Sequence, residues 1–271
     1  AFASKNRDSN HSIPCVIMPL KNTKGGGIVA IENGEWIMRG LDWDDPARIR
    51  SWEELIDWID EISFLPLFKN EVDGFSGEEN TGDLYWWTGD EEQDLWEWRC
   101  LMARSGRVAY GKFFGKKAGF ISKAWFPHFS NWRRDGYDFD SRWDEELAPM
   151  RQKRIMDCFS IQEEWFSFAL KQRAGFGKGG EKNFEGTVTD LQMGGYLLIR
   201  DFRRRVNKKG FPYGWHISVY STPEALWGYD HISSAYSVDP AESKTMIYEQ
   251  VGKNFPDAAP GELDAVLGWT R

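Results

Sequence analysis

The stretch NFEGTVTDLQMGGYLLIRDFRRRVNKKGFPYGWHISVYS, residues 183–221, carries the clearest fold signal in this sequence of 271 residues. Phe184, Val188 and Leu191 recur at helical spacing, which predicts a helix with one apolar face. After a glycine pair, the apolar runs YLLIRDF and WHISVYS flank a basic turn that contains glycine, and this pattern predicts a β-hairpin. A helix followed by a hairpin with a long basic turn is typical of the second half of a winged helix-turn-helix.

The residues before this stretch predict the first half of the same unit. RQKRIMDCF (151–159) predicts one helix. Ser160 and Glu163 have capping-box spacing, which predicts a second helix through IQEEWFSFALKQR (161–173). A glycine-rich loop then leads to the helix described above. The order helix, helix, helix, strand, basic loop, strand predicts a winged helix-turn-helix over residues 149–225.

A similar alternation precedes it and predicts a winged-helix-like region over residues 51–148. Ser51 and Glu54 again have capping-box spacing, at the start of an amphipathic run. LWEWRCLMARSG (95–106) predicts a helix, and the runs RVAYGKFF and AGFIS, joined by Gly-Lys-Lys, predict a hairpin. SKAWFPHFSNWRR (122–134) predicts a further helix, with its first serine as the cap.

The remaining residues complete the predicted organisation. Residues 1–50 predict an N-terminal β-containing segment, with CVIMPL (15–20) and GIVAIENGEWIMRG (27–40) as its short strands. Residues 226–271 predict a C-terminal helical segment. We therefore expect a mainly α chain with short β-hairpins, in the α+β class, built from tandem winged helix-turn-helix units.

The composition excludes several classes of protein. Aromatic residues make up 15% of the chain, enough to build a sizeable core, so global disorder is excluded. No run approaches the ~18 apolar residues of a membrane helix, and the first residues lack the apolar segment of a signal peptide. The three cysteines lie far apart and are odd in number, which excludes a disulfide scaffold. We expect a cytoplasmic protein with no membrane partner.

Charge is distributed unevenly along the chain, although the formal net charge is −8. Residues 1–98 have 8 basic and 21 acidic residues, a net of −13. Residues 99–134 contain nine basic residues and no Asp or Glu, and residues 171–209 contain ten basic and four acidic residues. This segregation is compatible with two solvated faces of uneven charge or with a polyanion-binding surface on an acidic body.

The predicted hairpin tip concentrates positive charge where no packing role requires it. Such charges favour contact with phosphates, because binding releases counterions from a duplex. The polar side of the preceding helix could lie on phosphates or read base edges in a major groove. The candidate nucleic-acid-binding residues are Arg203, Arg204, Arg205, Lys208 and Lys209 at the tip, Lys182, Asn183 and Thr187 on the helix, and Lys116, Lys117, Arg133 and Arg134 in the acid-free stretch.

No motif predicts a metal or a nucleotide cofactor. His11, His128, His216 and His231 show no metal-ligand spacing. GFGKGG (175–180) is only superficially like a phosphate loop, since it follows a predicted helix rather than a strand and lacks the Lys-Ser/Thr pair. We therefore expect no cofactor and no metal, and no residue is assigned a catalytic role.

Several segments resemble one protein family. GKFFGKKAGFISKAWFPHFSNWRR (111–134) resembles a segment of AlkZ-type (YcaQ-type) winged-helix DNA glycosylases, in which a short strand leads into an aromatic helix. WEELIDWIDEISFLPLF (52–68), GFGKGGEKNFEGTVTDLQM (175–193) and YGWHISVYSTPEALWGYD (213–230) resemble uncharacterised bacterial proteins described as AlkZ related. The closer resemblance spans residues 50–235 and implies tandem winged helices that form a concave basic surface on DNA.

The resemblance also implies where catalysis would occur. In true glycosylases of this type, a Gln-aliphatic-Gln or Gln-aliphatic-Asp motif holds the water that releases an alkylated base. The resemblance places this motif at Phe64–Phe68, where this sequence has Phe-Leu-Pro-Leu-Phe and no side chain able to orient water. Lys69, Asn70 and Glu71 could substitute only if their loop were displaced.

The sequence leaves three functions open. The first is binding of double-stranded DNA, with recognition of damaged or distorted duplex in DNA repair but without base excision. The second is an active DNA N-glycosylase for alkylated bases with a rearranged site. The third is a winged-helix module that binds a protein partner.

Overall fold

The computed structural model describes residues 30–32 and 35–268 of the chain. They form a mixed α+β structure that contains two three-stranded antiparallel sheets, so the predicted α+β class is confirmed. Of the predicted N-terminal strands, CVIMPL (15–20) lies outside the described residues. The other forms an antiparallel pair, β1 (Ala30–Glu32) with β2 (Glu35–Ile37).

Residues 51–148 alternate helices with short strands. Ser51 caps the first helix, since its hydroxyl oxygen accepts a hydrogen bond from the Glu54 amide at 3.2 Å, as the capping-box spacing predicts. The elements are α1 (Trp52–Ile62), β3 (Phe64–Pro66), α2 (Gly77–Asn80), α3 (Leu95–Ser105), β4 (Val108–Phe114), β5 (Lys117–Ser122), α4 (Phe126–Arg134) and α5 (Phe139–Asp144).

Residues 150–221 repeat the first six elements of this order. They are α6 (Met150–Phe159), β6 (Trp165–Phe166), α7 (Ser167–Arg173), α8 (Phe184–Met193), β7 (Leu198–Val206) and β8 (Pro212–Ser221). In each unit the strand after the first helix pairs with the last strand, so the sheet orders are β3-β5-β4 and β6-β8-β7. The two units therefore share the order of their elements and the pairing of their strands.

The C-terminal residues are helical and pack on α4. Asn131 on α4 donates to the Val238 carbonyl oxygen and to Ser243 Oγ, both at 2.9 Å. In the described part of the chain, no helix has the length and apolar character needed to cross a membrane. The elements are α9 (Pro223–Trp227), α10 (Tyr229–Ile232), a 3₁₀ turn (Ser233–Ala235), α11 (Pro240–Asn254) and α12 (Pro260–Leu267).

One hydrophobic core joins the two units. Leu55 on α1 and Leu191 on α8 belong to the same cluster of buried side chains, although they come from different units. Phe129 on α4 and Ile247 on α11 belong to a second cluster. Separating the units would expose this shared apolar surface to water, so they form one body.

The first hairpin packs directly on the third helix of the second unit. The Lys112 amide donates to Gln192 Oε1 at 3.0 Å, and Gln192 is itself buried. Gly111 permits this approach, because a Cβ at that position would lie 2.7 Å from the Phe113 ring and 3.2 Å from Gln192 Oε1. β4 therefore lies against the C-terminal half of α8.

The second unit covers the first in return. Arg200 on β7 donates to the carbonyl oxygens of Ala103 and Arg104, at 2.8 and 2.7 Å, and so satisfies groups left open at the end of α3. Arg99 on α3 lies between two rings, with its guanidinium carbon 3.6 Å from the Trp96 centroid and 4.2 Å from the Phe202 centroid. These contacts fix the orientation of the two units.

Two predicted helix starts are wrong. Ser122 does not cap α4, because it is the last residue of β5 and is fully buried; the helix begins at Phe126 with a proline in its first turn. Ser160 does not open a helix either, because it follows the end of α6 and Trp165–Phe166 form β6 against β8. A two-residue strand is too short to show its period in a sequence.

Candidate nucleic-acid interface

The β7–β8 hairpin projects from the body of the protein as a two-stranded ribbon. Every residue from Arg203 to His216 is exposed, whereas Phe202 and Val219 at its base are buried. The strands pair as far as Val206 and Pro212, well beyond the reach of β6. We call residues 203–216 the ribbon.

Asn207 builds the tip of the ribbon. Its Oδ1 accepts hydrogen bonds from the amides of Lys209 and Phe211, at 2.8 and 3.1 Å, and its own amide donates to the Phe211 carbonyl oxygen at 2.9 Å. Gly210 has φ of 81°, in the left-handed region that favours glycine. The local sequence Asn-Lys-Lys-Gly therefore fixes the turn and places Lys208 and Lys209 at its corners.

Four of the five cations predicted at the tip are available to an external anion. All four are exposed, and among residues 38–268 no acidic side chain forms an ion pair with any of them. Positive charges held this close repel one another, and a polyanion relieves that repulsion. These four residues are Arg204, Arg205, Lys208 and Lys209.

Arg203 differs from its neighbours. Its guanidinium lies 2.6 Å from Asp201 Oδ2 and 2.7 Å from Glu164 Oε2. Partial burial lowers the pKa of Arg203, but the hydrogen bonds that it donates to these two carboxylates outweigh that effect and raise the pKa above its ordinary value. Arg203 therefore anchors the ribbon to the body, and its contact with a phosphate stays a prediction.

The ribbon continues into a cationic cleft. The guanidinium carbon of Arg205 lies 4.1 Å from the ring centroid of Phe168 on α7. Phe168 also lines a shallow cleft of about 350 Å³ with Lys171 and Lys178. Lys171 Nζ in turn lies 5.8 Å from the ring centroid of Phe184, at the start of α8. The ribbon, the cleft and the start of α8 thus form one surface, which we call the cationic surface.

Lys182 and Asn183 lie at the edge of the cationic surface. Both are exposed, and Asn183 precedes α8 with φ of 63° and no side-chain bond to the helix amides. The positive end of the helix dipole adds to the charge at this point. Lys171 begins the second basic window of the sequence, but no local pattern distinguishes Lys171 or Lys178 as a binding residue.

The helix α8 itself is not open to a major groove. Seven of its ten residues are buried, and β4 lies against its C-terminal half. Thr187 is fully buried and its hydroxyl donates to the Asn183 carbonyl oxygen at 2.9 Å. Glu185 is the exposed residue of the helix, and phosphates would repel its carboxylate. The prediction that α8 enters a major groove, with Thr187 on DNA, is therefore wrong.

Arg133 and Arg134 are structural residues. Each is 1% exposed. The guanidinium of Arg134 donates to Glu224 Oε1 at 2.6 Å, to the Tyr236 hydroxyl at 2.8 Å and to the Gly195 carbonyl oxygen at 2.7 Å. Burial alone lowers the pKa of Arg134, but the Glu224 carboxylate reverses this and holds it above its ordinary value. Their burial removes both residues from the candidate interface.

Lys116 and Lys117 lie at the turn of the first hairpin. Gly115 and Lys116 have φ of 53° and 68°, as in the tight turns of two-residue hairpins. The Lys116 amide lies 3.2 Å from Met193 Sδ, at the end of α8. Since a helix of ten residues is about 15 Å long, these lysines are separated from the start of α8 by that length.

The position at which the resemblance placed a catalytic motif is buried. All three residues of β3 are buried, as is Leu67 after them. The Lys69 ammonium is paired with Asp73 at 2.9 Å and Glu79 at 2.5 Å. Asn70 is buried and its side chain binds loop carbonyl oxygens. These polar side chains hold the loop in place and do not point a free group at a substrate cleft.

Two further kinds of chemistry have no support in the described residues. Burial raises the pKa of the Cys100 thiol to about 11, so the thiol is protonated at neutral pH and is a poor nucleophile. Within the ranges that the structure describes, no three His, Cys, Asp or Glu side chains are grouped so that they could hold a metal ion.

The fold and the cationic surface define an α+β protein with a repeated helix–hairpin unit and one exposed basic ribbon. A family model described as AlkZ related matches residues 49–268, and the chain belongs to this AlkZ-related family. The resemblance found in the sequence is thereby confirmed.

Other comparisons add little. A search of curated proteins found no match. Among solved structures, the crystal structure of transcriptional regulator PA4135 is similar to 44% of this chain and 74% of that chain, with 15% identity and a TM-score of 0.22. We draw nothing from a similarity at that TM-score.

Proposed function

We propose that this protein binds double-stranded DNA through the second of two tandem winged helix-turn-helix units. The shared order of elements and the shared strand pairing support this assignment for residues 51–148 and 149–225, with residues 226–271 as a helical segment. Membership of the AlkZ-related family supports it too, because the AlkZ-type proteins that the sequence resembles act on DNA.

The observation that carries the proposal is the free positive charge of the ribbon. Its four available cations stand on a paired hairpin and continue into the cleft that contains Lys171 and Lys178. Because α8 is covered, the ribbon lies along the phosphate backbone and base edges contribute little. Binding of this kind depends on the shape and flexibility of the duplex, which suits a protein that recognises damaged or distorted DNA.

We propose binding without base excision at Phe64–Phe68. The side chains of β3 are apolar and buried, so they offer no group that could hold an attacking water. A cytoplasmic location and a role in DNA repair follow from this proposal as predictions.

Fluorescence anisotropy with a labelled duplex tests the proposal. Affinity should fall as salt rises, with a logarithmic slope of about −3 to −4 if the four ribbon cations each contact a phosphate. The variant Lys208→Glu/Lys209→Glu should weaken binding tenfold or more at moderate salt and flatten the slope by about two.

A matched control separates the ribbon from net charge. Lys123→Glu/Lys253→Glu changes the net charge equally at exposed positions outside the ribbon, and it should leave most of the affinity intact. Absence of duplex binding at low salt, or equal losses in both double variants, would contradict the proposal and would favour a protein partner.

A further inference from the structure

The ribbon carries exposed rings as well as cations. Phe211, Tyr213 and Trp215 are 65%, 49% and 65% exposed. The described residues contain three other aromatic side chains that are at least 40% exposed, and one of them is Phe168, which lies beneath Arg205. Exposed aromatic surface is therefore concentrated on and beside the ribbon.

These rings lie apart from the other aromatic side chains of the described residues. Phe211, Tyr213 and Trp215 make no ring–ring contact with other residues of the described ranges, whereas most other aromatic side chains lie in the core or touch another ring. A soluble protein exposes large apolar groups side by side mainly where a partner covers them. The rings therefore mark a surface on which something else stacks.

The arrangement of charge indicates which partner fits. Arg205 is paired in register with Tyr213, so the two side chains share one face of the hairpin. Lys208 and Lys209 occupy the turn at the far end, and the rings lie behind them. Insertion into a bilayer requires an apolar leading end, but here the leading end is charged. Two ribbons that met face to face would bring like charges together.

A strand of nucleic acid meets both requirements. Its phosphates match the cations, and an unpaired base offers a flat face that an aromatic ring can cover. The segment from Phe211 to Trp215 is at most about 13 Å long, enough for a few nucleotides. In an intact duplex the base faces are covered by their neighbours, so these rings gain nothing from it.

We propose that Phe211, Tyr213 and Trp215 stack on unpaired nucleobases while the ribbon cations hold the adjoining phosphates. The protein then binds DNA with a gap or a bulge more tightly than a continuous duplex. This inference rests on the proposed function, and it names the feature of distorted DNA that is recognised.

The test compares three labelled DNAs by anisotropy: an intact duplex, the same duplex with a short single-stranded gap, and the gapped duplex with abasic sites in the gap. The gapped duplex should bind about fivefold or more tightly than the intact one, and the abasic gap should lose this preference. Trp215→Ala and Phe211→Ala should each remove a similar factor for the gapped duplex and leave the intact duplex unchanged.

Controls make each outcome decisive. Tyr229→Ala removes an exposed ring outside the ribbon (54% exposed) and should change neither affinity; circular dichroism should show that all variants fold. Equal binding of intact and gapped duplex, or a preference that survives in the abasic gap, overturns the stacking inference but leaves the proposed function standing. Failure to bind any DNA overturns both.

Two other partners are outcomes of the same variants. Anionic vesicles that bind the wild type and not Trp215→Ala, without a preference for gapped DNA, would identify a membrane surface instead. A dimer in sedimentation velocity that Trp215→Ala dissociates would identify a second copy of the chain. Either result replaces the nucleobase as the partner.

Discussion

The two hairpins occupy the same place in their units and have opposite roles. The first, β4–β5, turns within two residues and buries Phe113, Phe114 and Phe120 in the core. The second, β7–β8, runs past its sheet and keeps residues 203–216 in solvent. Topology is the same in both, so the side chains decide whether a hairpin packs or projects.

This difference explains why the ribbon, rather than α8, is the exposed candidate for contact with DNA. The first hairpin buries its apolar side chains in the core. Its Lys112 amide also donates a hydrogen bond to Gln192 on the third helix of the other unit. With most of α8 buried, the exposed cations of the second unit include those of the ribbon and the neighbouring cleft, together with Arg151, Arg173 and Lys182. The proposed binding surface is therefore the hairpin rather than the helix.

The largest effect should come from a buried arginine, compared with an exposed one. Arg134→Met leaves Glu224 and the Gly195 carbonyl oxygen without their donor, and we expect the free energy of unfolding to fall by about 3 kcal/mol or more. Arg204→Met removes an exposed cation with no ion pair, so it should weaken DNA binding and leave stability within about 0.5 kcal/mol.

Urea unfolding and anisotropy on the same two variants check this contrast. A stable Arg134→Met protein with weakened DNA binding would contradict the structural role of Arg134 and would show that it contributes to DNA binding. A destabilised Arg204→Met protein would mean that the ribbon packs on the body more closely than its exposure indicates.

Sequence reasoning succeeded for features set by local patterns and failed for features set by contacts between distant residues. The hairpins, α8 and the capping of α1 by Ser51 depend on local patterns, and these were predicted correctly. Arg134 pairs with Glu224, 90 residues away, and Gln192 of α8 bonds to Lys112 on a strand of the other unit. Neither contact leaves a periodic trace in the sequence.

Charge counting had a similar limit at the ribbon. Five cations within seven residues predicted an exposed basic tip, and four of them are available. The fifth, Arg203, is held by Asp201 and Glu164, and the second of these is remote in sequence. Local charge density identifies a surface, but partners from other elements decide which members of it are free.

Substitution of one glycine in each hairpin should give a smaller effect and tests the same difference in packing. In the first hairpin, a Cβ on Gly119 would lie 2.4 Å from the Phe114 ring and 2.6 Å from the Leu65 carbonyl oxygen, and backbone cannot move aside cheaply. We expect Gly119→Ala to lower the free energy of unfolding by about 1–3 kcal/mol. In the ribbon, Gly214 has open space around it and φ of 74°, so Gly214→Ala should cost about 1 kcal/mol from backbone strain alone.

Chemical denaturation of both variants measures the difference, and amide exchange shows where it acts. Loss of protection should spread through the shared core in Gly119→Ala but stay within the ribbon in Gly214→Ala. Equal costs would mean that the ribbon is packed as tightly as the first hairpin.

The smallest effect should come from the turn of the first hairpin. Lys116 is exposed and Lys117 half-buried, and both lie at the end of α8 away from the cationic surface. Because charges separated by more than the Debye length, about 8 Å at physiological salt, are largely screened, Lys116→Glu/Lys117→Glu should weaken duplex binding by only about twofold. The salt slope should change by less than about 0.5, against about two for the ribbon variant. A slope change as large as that of Lys208→Glu/Lys209→Glu would instead show that both hairpins contact the duplex, and the DNA would then span the two units rather than follow one ribbon.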